Sequence, residues 1–206
     1  MVKTNERRIG YALKRAFDVV ASAVGLVALS PLMLGMALVI RCTSPGPALY
    51  RQLRVGRNGK AFLMYKFRSM WDDAERTSIW TKRNDPRRTA FGSWMRRYSL
   101  DELPQLINVL CGSMSLIGPR PEQPILVERF EKTIPQYGER HQVRPGITGW
   151  AQVNGLRGDT SVEDRVAHDL WYVEHWTLGL DGRILFKTIF GGMVNRQEFP
   201  DRDKGD

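Results

Sequence analysis

The stretch Ser99-Leu100-Asp101-Glu102-Leu103-Pro104-Gln105-Leu106 carries the densest set of groups that could do chemistry in this 206-residue chain. Ser99 and Glu102 match a capping box, but a helix begun there would hold Pro104 in its interior. The expected helix therefore starts at Asp101 or Glu102, with Pro104 in its first turn. At the positive end of a helix a carboxylate is favoured in its ionised form, which suits a nucleophile or a ligand for a hard metal and not a general acid. Helix capping alone would also account for these two side chains. Their surroundings tilt the balance. Between residues 76 and 97 stand Arg76, Lys82, Arg83, Arg87, Arg88, Arg96 and Arg97 against one acid, Asp85. Downstream, Arg120 sits between Pro119 and Pro121, and Arg144 precedes Pro145-Gly146. Guanidinium groups on stiff turns bind phosphate in fork geometry with little ordering cost, so a carboxylate pair among them points to phosphoryl chemistry.

Those groups need a scaffold, and composition bounds it. With 42% hydrophobic residues and two cysteines, the chain is neither a disulfide-stapled miniprotein nor a disordered tail, and it can bury one core. Cys42 and Cys111 read as ordinary reduced thiols, and His141, His168 and His175 lack the spacing of a metal site. The formal charge of +9 is uneven: residues 1–60 hold ten Lys and Arg against two acids, the remainder twenty-one against twenty. No pattern of a nucleic-acid-binding module accompanies the excess, so no nucleic-acid partner is expected. The excess flanks an apolar stretch, where it would meet anionic lipid headgroups.

That stretch, Val19 to Ile40, holds twenty-two consecutive residues without a charged side chain, although the mean hydropathy of the chain is −0.35. It is long for the apolar region of a signal peptide, and no small-residue cleavage site follows it. As a straight helix it would reach ~33 Å, enough to cross a bilayer. Two features favour a helix that dips into one leaflet and returns. Ser30-Pro31 near its middle predicts a break or kink. Bases flank both ends, Lys14 and Arg15 before it and Arg41, Arg51 and Arg54 after it, so the positive-inside rule puts both ends on the cytoplasmic side.

Beyond the turn Ser44-Pro45-Gly46-Pro47, strand-like residues at Ala48–Val55 and Ala61–Phe67 surround Gly56-Arg57-Asn58-Gly59, which predicts a hairpin. Helices are expected over Ser69–Ser78, Ala90–Arg97, Glu102–Cys111, Glu122–Ile134, Val162–Trp176 and Asp181–Val194, with residues 195–206 as a frayed tail. The last helix, with Ile184, Leu185 and Ile189 beside Arg183 and Lys187, could lie at a membrane interface or pack in the core. The fold class is α+β and predominantly helical: a re-entrant membrane helix over residues 14–42, a small β-hairpin and amphipathic interfacial helices. Residues 1–206 form a single catalytic domain on this reading, with 43–194 its cytoplasmic part.

Together, Ser30-Pro31, Ser44-Pro45-Gly46-Pro47, Lys66-Phe67-Arg68-Ser69-Met70, Asp85-Pro86-Arg87, the run Ser99 to Leu116, Gly118-Pro119-Arg120-Pro121-Glu122 and Arg144-Pro145-Gly146-Ile147-Thr148-Gly149 resemble the bacterial sugar transferases known as monotopic polyprenyl-phosphate phosphoglycosyl transferases. The resemblance runs from Lys14 to Thr188, and the length is that of the small stand-alone form. It implies transfer of a sugar 1-phosphate from a UDP-sugar to a polyprenyl phosphate such as undecaprenyl phosphate at the cytoplasmic face of the bacterial inner membrane. This is the first membrane step of polysaccharide or glycoconjugate assembly. The mechanism it implies is a two-step displacement in which Asp101 attacks the sugar-bearing phosphorus, UMP leaves, and the lipid phosphate attacks the phosphosugar-enzyme intermediate. Mg²⁺ assists, with Glu102 its expected ligand and Asp169 a second candidate. Lys66, Arg68, Arg96, Arg120 and Arg144 are the expected phosphate contacts. The stretch Gly149 to Gly158 resembles members that transfer hexose 1-phosphates such as glucose or galactose. Membrane lipids are implied as partners, and a homodimer is left open. Two rival classes are a non-catalytic membrane scaffold and a UDP-sugar hydrolase using the same aspartate.

Overall fold

A computed structural model describes residues 2–71, 85–158 and 160–191 of the chain. It opens with a helix, α1, over Val2–Thr43, with Pro31 inside it. The segment Arg7–Thr43 is long and apolar enough to cross a membrane, and only 11% of its most apolar window is buried, unlike the core helix of a soluble protein. Val27 and Leu34 are 76% and 71% exposed. This uncovered apolar surface associates the chain with a membrane.

The expected break at Ser30-Pro31 does not interrupt the helical assignment. Proline has no N–H to give the carbonyl four residues back, which is that of Val27. The hydroxyl of Ser30 donates to this same oxygen at 2.8 Å, so the carbonyl stays satisfied where no water could reach it in hydrocarbon.

α1 is fastened to the rest of the molecule at both ends. Toward its start, Lys14 donates to the carbonyl of Ile117 and to Asp181, and Tyr11 stacks on Trp176 at 4.1 Å. Asp18, 2% exposed, accepts the N–H of Leu116. Toward its end, Met36 and Ile40 pack with Phe67 and Met95. There the guanidinium of Arg68 donates to the carbonyl and hydroxyl of Ser44.

The hairpin forms as expected, β1 (Leu49–Val55) pairing antiparallel with β2 (Ala61–Phe67) so that Val55 faces Ala61 and Tyr50 faces Lys66. Its turn uses Asn58 at φ 56° and Gly59 at φ 73°, the left-handed conformations these residue types tolerate. The helix expected over Ser69–Ser78 does not begin there: Met70 bridges Arg88 in extended pairing, and residues 72–84, including Arg76, Lys82 and Arg83, lie outside the described part. α2 (Ala90–Arg97) is capped by the hydroxyl of Thr89. Gly92 lets it press on β2's exit, because a Cβ there would lie 2.0 Å from the carbonyl oxygen of Ser69.

There follow α3 (Gln105–Cys111), β3 (Ser115–Ile117), α4 (Pro124–Thr133), β4 (Gly146–Thr148), α5 (Trp150–Val153), α6 (Val162–Glu174) and α7 (Leu178–Phe190). The parallel pair β3 and β4, absent from the expectations, brings Gly118 against the main chain of Arg144, where a Cβ would meet a carbonyl oxygen at 2.3 Å. α7 buries Ile184 beside Tyr172 and Trp176, while Phe186 and Phe190 on it stay exposed, so it is both a core helix and an apolar surface. The expected tail, residues 195–206, lies outside the described residues.

Candidate active site

Asp101 and Glu102 stand on a 3₁₀ turn, Leu100–Glu102, ahead of α3 and not on its first turn. Two residues cause this. Ser99 adopts φ 56°, ψ 22°, which ends α2 and reverses the chain into the turn. Pro104, without an N–H, caps α3, so the α-helix begins only at Gln105. The dyad is thus held by the N–H groups of Glu102 and Leu103 bonding back to Ser99 and Leu100.

Both carboxylates face a cavity of 380 Å³. Lys66, from β2, donates to Oε1 of Glu102 at 2.9 Å. Arg120 grips the same carboxylate with two nitrogens, at 2.5 Å to Oε1 and 3.2 Å to Oε2. Burial works against the charge on Glu102, but these two cations outweigh it and hold its pKa well below the ordinary carboxylate range. Asp101 differs: burial dominates and raises its pKa, and the neighbouring Glu102 adds to the rise against the pull of Lys66, Arg96 and Arg120. The expectation that a helix end keeps both carboxylates readily ionised therefore holds for Glu102 by another cause, its salt bridges. It does not hold for Asp101.

Of the five expected phosphate contacts, the structure brings Lys66, Arg96 and Arg120 to the cavity. Arg68 is buried outside the cavity, its Nη2 donating to the carbonyls of Ile40 and Ser44 while Nε and Nη1 have no hydrogen-bond partner among the described residues. Arg144 donates to the carbonyl of Gly112 behind α3. Both are staples of the main chain, not part of the cavity wall. Asp169 is likewise placed elsewhere: it accepts from Arg140 at 3.0 and 2.5 Å and lines a second, small cavity of 20 Å³. Arg140 also donates to the hydroxyl of Tyr137. Its pairing with Arg140 in that separate cavity, and not beside the dyad, gives Asp169 the place of a structural counter-ion.

Three cations not expected at the site from the sequence, Arg54, Arg157 and Arg165, also line the wall. Arg54 and Arg165 share the carboxylate of Glu122 at 3.3 and 3.2 Å. Burial lowers Arg54 to about 10, which leaves it charged at neutral pH. Nε and Nη2 of Arg165 are buried without a hydrogen-bond partner, donors free to receive an anion. Among the described residues, six cationic side chains face three carboxylates, Asp101, Glu102 and Glu122, a surplus that suits a ligand with two or more phosphate charges. Hairpin register could have found Arg54, since Val55 facing Ala61 puts it on the same strand face as Lys66.

No group of three or more His, Cys, Asp or Glu side chains is gathered for a metal among the described residues. The dyad offers oxygen ligands from one or two side chains. This fits Mg²⁺, which is commonly held by one or two carboxylates with substrate phosphates and water completing its shell.

The profile of the family described as bacterial sugar transferase matches residues 9–195. The chain belongs to that family. Among its relatives, the UDP-glucose:undecaprenyl-phosphate glucose-1-phosphate transferase of Escherichia coli (strain K12) is 46% identical over 193 residues, covering 91% of this chain and 41% of the relative. The enzyme of the same description from Xanthomonas campestris pv. campestris is 49% identical over 177 residues, 83% of this chain and 37% of the relative. This chain therefore spans about two fifths of the length of these two relatives. The exopolysaccharide production protein PSS of Rhizobium leguminosarum bv. phaseoli is 44% identical over 196 residues and is covered over 98% of its length.

Proposed function

We propose that this sugar transferase moves a sugar 1-phosphate from a UDP-sugar to undecaprenyl phosphate, with UMP as the other product, as the first membrane step of a polysaccharide or glycoconjugate. One observation carries the reading: an aspartate–glutamate dyad on the wall of a cavity where, among the described residues, cations outnumber carboxylates by three, beside a helix apolar enough for a membrane. The relatives' names supply the donor and acceptor classes. Glucose and galactose remain the favoured cargoes from the Gly149 to Gly158 stretch, and relatives named for glucose, galactose and N-acetylgalactosamine transfer are all above 40% identity.

In this scheme a carboxylate oxygen of Asp101 attacks the phosphorus that bears the sugar, the bond from that phosphorus to the bridging oxygen breaks, and UMP leaves with the electron pair. An oxygen of the lipid phosphate then attacks the same phosphorus, expelling the Asp101 carboxylate and giving a diphospholipid-linked sugar. Splitting the transfer lets a soluble donor and a membrane-bound acceptor use one nucleophile in turn. Burial of Asp101 makes its carboxylate a better nucleophile once the proton has left, and the cationic wall stabilises charge that spreads over the phosphoryl oxygens. Arg120 and Lys66 orient the donor phosphates and keep Glu102 ionised. When bound, Mg²⁺ would supply charge neutralisation for the diphosphate. Glu102 is the side chain that would hold it.

The cytoplasmic face of the inner membrane is the proposed location, and α1 the proposed re-entrant element. Asp18 and Ile40 are both anchored on the same globular body, so a crossing α1 would draw that polar body into the bilayer. The test is UMP release by detergent-solubilised protein given Mg²⁺ and UDP-glucose, UDP-galactose or UDP-N-acetylgalactosamine, with and without undecaprenyl phosphate. Lipid-dependent UMP with a diphospholipid product supports transfer. UMP indifferent to lipid would mean hydrolysis, and none from any donor would leave a membrane scaffold.

A further inference from the structure

One end of the active-site cavity is built for something other than phosphate. Leu106 of α3, Leu116 of β3, Ile147 of β4 and Leu185 of α7 line it, together with Thr148 and Thr188, whose hydroxyls bond each other at 2.8 Å. Thr188 also donates to the carbonyl of Ile184, so the hydroxyl pair is internally engaged. None of these six side chains is charged, in contrast to the cationic wall around the dyad.

This end also adjoins the membrane elements. A Cβ on Gly25 of α1 would lie 3.3 Å from Cδ1 of Leu106, and Asp18 of α1 bonds the N–H of Leu116. On the other side, Leu185 and Thr188 belong to α7, whose Phe186, Ile189 and Phe190 are exposed. The apolar end therefore adjoins two elements that present uncovered apolar surface, α1 and α7, and the cations around the dyad line the same cavity. The four Leu and Ile side chains themselves offer no partner to the hydroxyls of a sugar or the amides of a uridine.

We propose that the slot between α3 and α7, walled by Leu106, Leu116, Ile147, Leu185 and the Thr148–Thr188 pair, receives the first isoprene units of the polyprenyl phosphate. The phosphate of that lipid then lies among the cations next to Asp101, and the rest of its chain leaves between α1 and α7 into the bilayer. This inference rests on the transferase reading and adds the acceptor's path through the fold. It makes Leu185 and Leu106 determinants of acceptor binding that leave donor binding alone.

Two measurements test it. Leu185→Trp should fill the slot and raise KM for undecaprenyl phosphate about tenfold, the equivalent of expelling one or two methylenes, while KM for the UDP-sugar shifts less than about twofold. A parallel or larger rise in the UDP-sugar KM, or no change in either, overturns the proposal. The second leaves the protein unmutated: geranyl phosphate carrying a diazirine on its first isoprene unit is photolysed with the wild-type protein in detergent and the labelled peptides are sequenced. Label on Leu106, Leu116, Leu185 or Thr188 themselves, displaced by undecaprenyl phosphate, supports the slot. Label confined to the exposed faces of α1 or α7 overturns it. Failure of the transferase reading shows separately, as wild-type protein without lipid-dependent UMP release.

Discussion

The main-chain carbonyl of Arg120 accepts a 2.8 Å hydrogen bond from Nη2 of Arg140. Arg140 is in turn locked by Asp169 and Tyr137, and the flanking residues Pro119 and Glu122 give their carbonyls to Gly146 and Val55. The arginine that grips Glu102 is thus fixed along its backbone before any ligand arrives.

Asp169→Asn should accordingly destabilise the protein without touching the metal. Removing one partner of an ion pair that is 4% exposed on each side strands the Arg140 charge, a loss of about 3 kcal/mol. Thermal or urea unfolding reads that loss, and the Mg²⁺ concentration for half-maximal activity should stay at the wild-type value. A marked rise in that concentration would restore Asp169 as a ligand.

Asp101→Asn should abolish turnover, by about 10³-fold or more, with an unchanged circular dichroism spectrum. Near-normal rates in UMP release would remove Asp101 from the nucleophile's role.

The pH dependence follows from the opposite displacements of the two carboxyls. In the proposed mechanism Asp101 attacks as its carboxylate, so on the acid side activity should fall with its raised pKa and not with that of Glu102, which stays charged far lower. For stability, a group whose folded pKa is raised favours the fold below its unfolded pKa and loses that contribution as pH rises through the folded pKa. Asp101→Asn should therefore raise Tm relative to wild type more at about pH 7.5 than at about pH 4. An equal difference at both values would contradict the raised pKa.

Glu102→Gln leaves Lys66 and Arg120 facing each other without their shared anion. Because Arg120 is 36% exposed, the stability loss should be about 2 kcal/mol, below that of a fully buried pair. Glu102 acquires the reverse sign of pH dependence: its stabilisation is present above the ordinary carboxylate pKa and fades only as pH falls through the depressed one. Acid titration of wild type against this variant by fluorescence unfolding checks both statements.

Single cysteines at Asn5 and Asn58, in a background lacking Cys42 and Cys111, should react from the same side of sealed vesicles with a membrane-impermeant maleimide. Labelling from opposite sides would make α1 a crossing helix.

Much of the scaffold was legible because its signals are local. The hairpin follows from strand-like residues around a Gly-flanked turn, and α2 forms over the stretch expected for it, Ala90–Arg97. The dyad's own turn was misplaced because Ser99 takes a left-handed conformation that its residue type does not advertise. β3 and β4, three residues each and some thirty apart in sequence, are too short for periodicity to register. The same limit applies to the arginines. Arg120 on its Pro-flanked turn reaches the site, while Arg144 on a similar turn caps a carbonyl. Which fate a guanidinium meets depends on which backbone oxygens tertiary packing leaves within its reach.

The two-ended attachment of α1 also changes how the partners would meet. If α1 lodges in one leaflet, as proposed, its attachments to the globular body near Asp18 and near Ile40 hold the cavity at one height above the hydrocarbon. Protein and lipid acceptor then share a thin sheet, and their encounter is a search over an area, with no lipid lifted out of the bilayer. The acceptor's rate should scale with its mole fraction in the membrane and not with its concentration in the bulk volume.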